Sequence, residues 1–279
     1  MKKLVIIPAF NESASIERAV DDIRQNAPGF DYIVINDCST DDTLEVCRKN
    51  GIKHVNLSVN LGIGGAVQTG YLYGCQNGYD LAVQFDGDGQ HDASYLEQMA
   101  EELERTGSDM VIGSRFIEKE GFQSSGLRRV GIRYFSVLIK LMTGKLVTDP
   151  TSGMRMVNRQ VMEIYAQNYP KDYPEPESVM AILRMGKKVT ELPVVMRERE
   201  EGSSSIAGFK SAYYMIKVTL AILMERLRRY CHDDSKTADR GRSGYFIYIG
   251  DPDQYDPPQK SGTEICVGLD AGSDSIVCI

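Results

Sequence analysis

Short apolar runs alternate with helical stretches through the first 113 residues of this chain. The runs that we predict as strands cover 4–8, 32–35, 54–59, 81–85 and 110–113. The stretches predicted as helices cover 13–26, 41–50, 64–77 and 94–106, and Asn11 or Ser13 is expected to cap the first. Strand–helix alternation at this spacing is typical of βαβ units. The sequence therefore predicts an α/β fold with a mostly parallel central sheet flanked by helices.

The second half of the chain is less regular. Helices are predicted at 131–142, 177–185 and 208–230, a strand at 188–196, and a mixed loop and strand at 148–157. After Tyr230 the composition turns acidic and prolines interrupt it, although runs 245–249 and 265–269 are apolar enough for strands. We expect a main domain at 1–206, an amphipathic helix at 207–230, and an acidic tail at 231–279 whose role the sequence leaves open.

Charge and cysteine content exclude some classes of protein. The formal net charge of −7 argues against general nucleic-acid binding. None of the six cysteines forms a CxxC pair and there are three histidines, which argues against a zinc site. The N-terminal apolar run is too short for a signal peptide, so we expect a cytoplasmic protein with free thiols.

Four polar loops follow the predicted strands of the first half. They are 8–12, 36–39, 60–62 and 86–88. Ligands of parallel α/β sheets bind at the carboxyl ends of the strands. These loops should therefore meet at one edge of the sheet and form one site.

The loop after the fourth strand contains two aspartates, Asp86 and Asp88, separated by one residue. Hard carboxylate oxygens on a tight turn suit Mg²⁺ or Mn²⁺, and Mg²⁺ commonly completes its shell with water and substrate phosphates. The pair predicts a metal site for a phosphorylated donor. An acidic surface turn is the alternative for this motif alone, and His91 is expected to be structural.

A glycine-containing loop covers residues 60–66 and leads into a helix. It lacks the third glycine of a dinucleotide fingerprint, because position 67 is Val67, and no Gly-Lys-Ser/Thr follows as in a P-loop. We predict that Asn60 and Gly64 place the loop and helix N-terminus close to a nucleotide. A plain helix start with small residues for packing is the alternative.

Four further charged side chains are candidates for chemistry. Asp37 follows the second strand, where a carboxylate can bind a base or ribose. Arg115 follows the fifth strand and could clamp phosphate, and Arg199 could meet a second anionic group. Asp149 is the candidate general base. The alternatives are surface ion pairs for the arginines and a turn cap for Asp149.

The helix predicted at 208–230 admits two interpretations. Its apolar stretch contains Lys217 and is shorter than the roughly 20 apolar residues of a membrane span. Packing on the protein itself or in a homo-oligomer contact is favoured. The alternative is a helix lying in a membrane interface, with Arg226, Arg228 and Arg229 towards anionic headgroups.

Residues 1 to about 206 resemble family 2 glycosyltransferases with the GT-A fold, and most of all the branch typified by dolichol-phosphate mannose synthase. The motifs that carry the resemblance are 8–12, 37–43, 60–66, 86–91, 113–115, 149–155 and 199–204. The resemblance implies that Pro8, Ala9, Glu12 and Asp37 hold the nucleotide, and that Asp86, Asp88 and Gln90 surround the metal. It also implies that Arg115 binds donor phosphate and Arg199 the acceptor or transferred group.

The sequence departs from the family pattern at three of these motifs. Asn36 replaces the first aspartate of the usual pair, Ile63 stands where a basic residue is often found, and Ser205 stands where many relatives have lysine. The first departure leaves Asp37 alone to meet the base. The second removes one expected phosphate contact, and the third weakens the case for a phosphate acceptor.

These observations predict an inverting, metal-dependent glycosyltransferase that moves a hexose from a nucleotide diphosphate sugar. The acceptor is a polyprenyl phosphate or a saccharide hydroxyl in cell-wall or polysaccharide assembly, and Asp149 acts as base only for the hydroxyl. The location expected is cytoplasmic, with peripheral contact to the inner face of the membrane. The alternatives are a nucleotide-sugar binding or inactive subunit and, less favoured, a nucleotidyltransferase.

Overall fold

The computed structural model describes residues 1–118, 126–171, 174–197, 209–227, 246–249, 266–269 and 277–278. Seven strands form one central sheet in the order β3-β2-β1-β4-β6-β5-β7. All neighbours are parallel except β6, which is antiparallel to both β4 and β5. The strands are Lys3–Ala9 (β1), Asp31–Asn36 (β2), His54–Asn56 (β3), Leu81–Gln84 (β4), Met110–Ser114 (β5), Arg155–Asn158 (β6) and Val189–Pro193 (β7). The predicted α/β fold with a mostly parallel sheet is confirmed.

Helices cover both faces of the sheet. They are Ile16–Asn26 (α1), Thr43–Lys49 (α2), Gly62–Gln76 (α3), Tyr95–Thr106 (α4), Gly126–Thr143 (α5), Arg159–Gln167 (α6), Pro174–Arg184 (α7) and Phe209–Leu227 (α8). Alternate residues of a strand point to opposite faces. Val5 and Ile7 accordingly pack with α1, α2 and α4, whereas Leu4 and Ile6 pack with α3 and α5–α8.

Several elements differ from the sequence prediction, among them helix α5, which begins at Gly126 and not at 131. Helix α1 begins at Ile16, because Asn11 adopts φ 58° and its side chain accepts a hydrogen bond from Thr40 N instead of capping the helix. Helix α7 begins three residues early, at Pro174, and proline is well suited to a first helical turn. Helix α6 was not predicted, and Asn158 caps it by accepting a hydrogen bond from Val161 N.

The C-terminal residues that the structure describes form a second, three-stranded sheet in the order β10-β9-β8. Its strands are Phe246–Ile249 (β8), Cys266–Leu269 (β9) and Val277–Cys278 (β10). The first two lie within the apolar runs of the acidic tail. Among the described residues, no helix combines the length and the apolar character needed to cross a bilayer.

Candidate active site

A cavity of about 520 Å³ opens at the carboxyl ends of β1, β2 and β4. The loops that follow these strands supply most of its wall, as expected for a ligand site on a parallel sheet. The cavity is lined by Pro8, Ala9, Phe10, Glu12, Asp37, Asn60, Gly62, Ile63, Ala66, Asp86, Gly87, Asp88 and Glu175. Seven residues predicted from the sequence therefore lie together: Pro8, Ala9, Glu12, Asp37, Asn60, Asp86 and Asp88.

The wall beside β2 is built around Asp37, which is 2% exposed. Its Oδ1 accepts a hydrogen bond of 2.7 Å from Leu61 N, and its backbone oxygen accepts one from Asn60 Nδ2. Burial raises the pKa of the Asp37 carboxyl, and hydrogen bonds from Leu61 and Gly62 partly oppose that rise. Asp37 thus joins the loop after β2 to the start of α3.

Asn36 occupies a different environment from its neighbour. Its side chain is 1% exposed, donates to Asn56 Oδ1 at 2.6 Å and accepts from Ser39 Oγ. It does not line the cavity. The loop therefore offers Asp37 alone to a ligand.

The wall after β4 contains the paired aspartates. Asp86 N donates to His91 Nδ1 at 2.9 Å, and the His91 ring lies edge-on to Phe85. Asp88 Oδ1 accepts from Gln90 N, which closes the turn between them. His91 therefore supports the turn from inside the protein, in the structural place expected for it.

Gln90, the third predicted metal ligand, lies at the edge of this turn and not in the cavity wall. Its backbone oxygen accepts from Arg197 N at 2.9 Å, and Arg197 also pairs with Asp22 and Asp92. Gln90 therefore fastens the aspartate turn to the segment after β7. Arg199, two residues beyond Arg197, lies outside the described residues.

The donor set fits a hard divalent cation. Asp86 and Asp88 both present carboxylates to the cavity, and a side chain at Gly153 would come within about 2.5 Å of Asp86 Oδ2. In the described part of the chain, no three His, Cys, Asp or Glu side chains lie close enough to hold a metal by themselves. An ion here would need water and ligand oxygens as well, which is usual for Mg²⁺.

Arg115 and Asp149 are partners of each other. Arg115 Nε and Nη2 donate to the two Asp149 carboxylate oxygens at 2.7 and 2.8 Å, and Asp149 is fully buried. The Glu191 carboxylate holds the Asp149 turn by accepting from Thr148 N and Asp149 N. Neither Arg115 nor Asp149 lines the cavity. This geometry presents Asp149 as a residue that orients Arg115, and it differs from the arrangement expected of a base facing an acceptor hydroxyl.

Gly64 was predicted to approach a nucleotide, but its surroundings are occupied by protein. Gly64 N donates to Lys171 O at 3.1 Å, and a Cβ at this position would lie 2.1 Å from Pro170 O. Gly64 therefore allows α3 to pack against the segment that precedes α7. Its neighbours Gly62 and Ile63 line the cavity instead.

Sequence reasoning missed Glu175, which also lines the cavity. Its Oε1 lies 3.8 Å from Nη2 of Arg155, whose side chain is 2% exposed. Arg155 Nη1 donates to Glu175 O and Ser178 Oγ, while its Nε and Nη2 have no hydrogen-bond partner. Burial raises the pKa of Glu175, and the Arg155 charge opposes the rise. The available signal was Pro-Glu-Pro-Glu at 174–177, with two acids in a first helical turn.

The sheet order, with one antiparallel strand among the seven strands of the central sheet, is that of the GT-A fold. Residues 4–165, more than half of the chain, match the family model described as Glycosyl transferase family 2. The chain therefore belongs to family 2 of the glycosyltransferases, and it is a transferase.

Two curated relatives confirm the branch to which the sequence motifs are similar. The chain is 29% identical to the undecaprenyl-phosphate mannosyltransferase of Micrococcus luteus, over 82% of this chain and 98% of that protein. It is 26% identical to the polyprenol monophosphomannose synthase of Mycolicibacterium smegmatis, over 82% and 89% of the two chains.

A solved structure shares the fold. It is glucosyl-3-phosphoglycerate synthase from Mycobacterium tuberculosis in complex with Mn²⁺, uridine diphosphate and phosphoglyceric acid. The TM-score is 0.60, with 20% identity over 83% of this chain and 80% of that one.

Proposed function

We propose that this protein transfers a hexose from a nucleotide diphosphate sugar to a polyprenyl phosphate, with inversion at the anomeric carbon. The observation that carries the proposal is the cavity at the carboxyl ends of β1, β2 and β4. Asp37, Asp86 and Asp88 all line this cavity. The names of the two curated relatives support a polyprenyl phosphate acceptor. A saccharide hydroxyl is the second acceptor class.

The nucleoside half of the donor lies against Pro8, Ala9, Glu12, Asp37 and Asn60. Asp37 accepts hydrogen bonds from the base or ribose through its carboxylate, which Leu61 N holds in place. Glu12 is held in place by Ser15 Oγ, which donates to its carboxylate at 2.7 Å. The apolar faces of Pro8 and Ala9 support the ring of the base.

The diphosphate would lie over the turn of Asp86 and Asp88, and these two carboxylates, with Gln90 nearby, would hold Mg²⁺ or Mn²⁺. When bound, the ion offsets the negative charge on the leaving diphosphate. The Mn²⁺ present in the glucosyl-3-phosphoglycerate synthase complex supports this class of ion. Asp88 is therefore placed among the catalytic residues.

The acceptor phosphate is already an anionic nucleophile, so transfer to it needs no general base. This agrees with the burial of Asp149 and with its bidentate pairing to Arg115. Asp149 then fixes the direction of the Arg115 guanidinium, and Arg115 helps to offset the negative charge of the leaving diphosphate. Arg199 is proposed to meet the acceptor or the transferred sugar. With a saccharide acceptor, Asp149 would have to leave Arg115 before it could accept a proton.

The proposed setting is glycan assembly at the inner face of the cytoplasmic membrane, with the enzyme bound peripherally. A polyprenyl acceptor is insoluble in water, so the enzyme must reach it at a lipid surface. A homo-oligomer contact through α8 is the alternative to membrane contact, since exposed apolar patches mark protein–protein or membrane interaction sites.

The test is release of nucleotide diphosphate from UDP-glucose, UDP-galactose, UDP-N-acetylglucosamine and GDP-mannose, with and without a polyprenyl phosphate. We expect release from one donor to rise at least tenfold when the lipid phosphate is added. Release that is the same with and without the lipid phosphate would favour a saccharide hydroxyl as the acceptor. Binding of donors without release from any of them would contradict the proposal.

A further inference from the structure

Helices α5 and α8 carry apolar side chains on both of their faces. The inner faces enter the core through Phe135, Ile139, Val218 and Ile222. Further apolar side chains remain exposed: Val130, Tyr134, Val137, Leu141, Ile216, Leu220, Leu223 and Met224. Exposed fractions reach 78% for Leu141 and 65% for Met224, so folding has not buried this surface.

The exposed residues form two adjacent rows. Val130, Tyr134, Val137 and Leu141 recur every three or four residues and so share one side of α5. Ile216, Leu220, Leu223 and Met224 do the same on α8. The rows meet where Thr219 Oγ1 donates to the Tyr134 hydroxyl at 3.3 Å, and where Met215 packs on Gly131. We call these eight residues the α5/α8 face.

Basic side chains surround the α5 row in a chain whose net charge is −7. Five exposed basic residues lie on α5 or directly after it: Arg128, Arg129, Arg133, Lys140 and Lys145. The sequence has no acidic residue from 126 to 148. An apolar row bordered by lysine and arginine is the surface that anionic headgroups over acyl chains would match.

The α5/α8 face is also joined to the cavity. Helix α7 packs against both α5 and α8, and its first turn delivers Glu175 to the cavity wall. Burial raises the pKa of the Glu175 carboxyl, and the charges of Arg155 and of Arg128 on α5 oppose the rise. A surface seated on α5 and α8 would therefore lie next to the site.

We propose that the α5/α8 face seats the protein on an anionic lipid surface, so that a membrane-held acceptor reaches the cavity past the N-terminal ends of α5 and α7. The proposal rests on the proposed function for the identity of the acceptor. The binding itself requires neither donor nor acceptor, so it is measured separately.

The experiment is co-sedimentation of the full chain with vesicles of phosphatidylglycerol and phosphatidylcholine, against vesicles of phosphatidylcholine alone. We expect binding to the anionic vesicles, weakened by salt because exposed charges are screened. Val137→Ser/Leu141→Ser should lower the affinity about tenfold at any salt concentration. Arg133→Gln/Lys140→Gln should lower it about 25-fold at low salt, at roughly fivefold per basic residue near the surface.

Lys49→Gln/Arg105→Gln is the matched control, because α2 and α4 cover the opposite face of the sheet. This variant should bind vesicles like the parent. All variants should keep the parent's unfolding midpoint, and their turnover with a short, water-soluble prenyl phosphate should be unchanged.

Three results would overturn the proposal: no binding of the parent to anionic vesicles, equal weakening by the control, or a concentration-dependent dimer that Val137→Ser/Leu141→Ser abolishes. The last result would show that the α5/α8 face binds a second copy of the chain. Vesicle binding without turnover on any acceptor would contradict the proposed function but would still support the α5/α8 face as a lipid-binding surface.

Discussion

Asp37, which we propose as a nucleoside-binding residue, is held in place at some cost to the fold. Its carboxylate is almost fully buried, and its hydrogen bonds from the α3 N-terminus do not fully offset the lost hydration. The pKa of Asp37 in the folded protein therefore lies above its ordinary value of 3.8. The contribution of Asp37 to the free energy of unfolding is fully present below pH 3.8 and is lost as the pH rises through the raised pKa.

Replacing Asp37 by asparagine should separate stability from binding. Asp37→Asn removes the buried charge and keeps an oxygen for Leu61 N, so the unfolding midpoint at pH 7 should rise by roughly 2–4 °C, the shift that ~1 kcal/mol gives in a chain of this size. The gain should vanish when the pH is lowered below 3.8. Nucleotide diphosphate affinity, measured by calorimetry, should fall about tenfold. A variant that binds like the parent would contradict the role of Asp37.

The Arg115–Asp149 pair should show strong coupling in a double-mutant cycle. Arg115→Leu leaves a buried, unpaired carboxylate and should cost about 3–5 kcal/mol of unfolding free energy. Arg115→Leu/Asp149→Leu removes both charges and should cost less than the sum of the single variants. Urea denaturation of the four proteins measures the coupling. Additive losses would mean that the bidentate contact contributes no pairwise energy.

At the scale of elements, the start of α3 depends on a close approach of backbones. A Cβ at Gly64 would meet Pro170 O and Lys171 O, both of which belong to a backbone that cannot yield like a flexible side chain. Because Gly62 and Ile63 line the cavity, movement of α3 would also move the wall that faces the donor.

Gly64→Ala should therefore lower both the unfolding midpoint and nucleotide affinity. We expect a loss of about 1–3 kcal/mol, as for overpacking of a well-filled contact. Gly126→Ala is the control, because among the described residues the nearest atom to its Cβ is Arg129 Nη2 at 3.9 Å, and alanine favours helix. If both variants unfold at the same midpoint as the parent, the α3 contact is not as tight as described.

The sequence was informative where a local pattern decides the structure. The strands that precede Asp37 and Asp86 are apolar runs, and the end of a parallel strand is where a ligand loop must lie. That rule was enough to predict that Pro8, Asp37, Asn60 and Asp86 lie together, and all four line the cavity.

Long-range pairing was the part that local patterns could not supply. The position of β6 between β4 and β5 depends on competition among strands, and the mixed pattern at 148–157 gave no sign of its antiparallel direction. The same holds for Arg115 and Asp149, whose charges suit several partners, and for Glu175, which reaches the cavity only because α7 packs on α5 and α8.

At the scale of the whole molecule, the sheet separates two chemically different layers. Helices α1, α2 and α4 cover one face, and α3 with α5–α8 covers the other, where the basic and apolar residues of the α5/α8 face lie. The cavity opens at the edge between these layers. If the α5/α8 face meets a lipid surface as proposed, one side of the protein would remain in water while the acceptor arrives from the other.

The most direct test of the account is divalent-dependent turnover of Asp88→Asn beside Asp42→Asn. Asp88 lines the cavity, whereas Asp42 is an exposed carboxylate at the start of α2, so each variant removes one negative charge. With the active donor, polyprenyl phosphate and Mn²⁺, the account predicts that Asp88→Asn lowers kcat at least about 100-fold at an unchanged unfolding midpoint. Asp42→Asn should match the parent. Full Mn²⁺-dependent turnover in Asp88→Asn would contradict the placement of the diphosphate over the turn of Asp86 and Asp88.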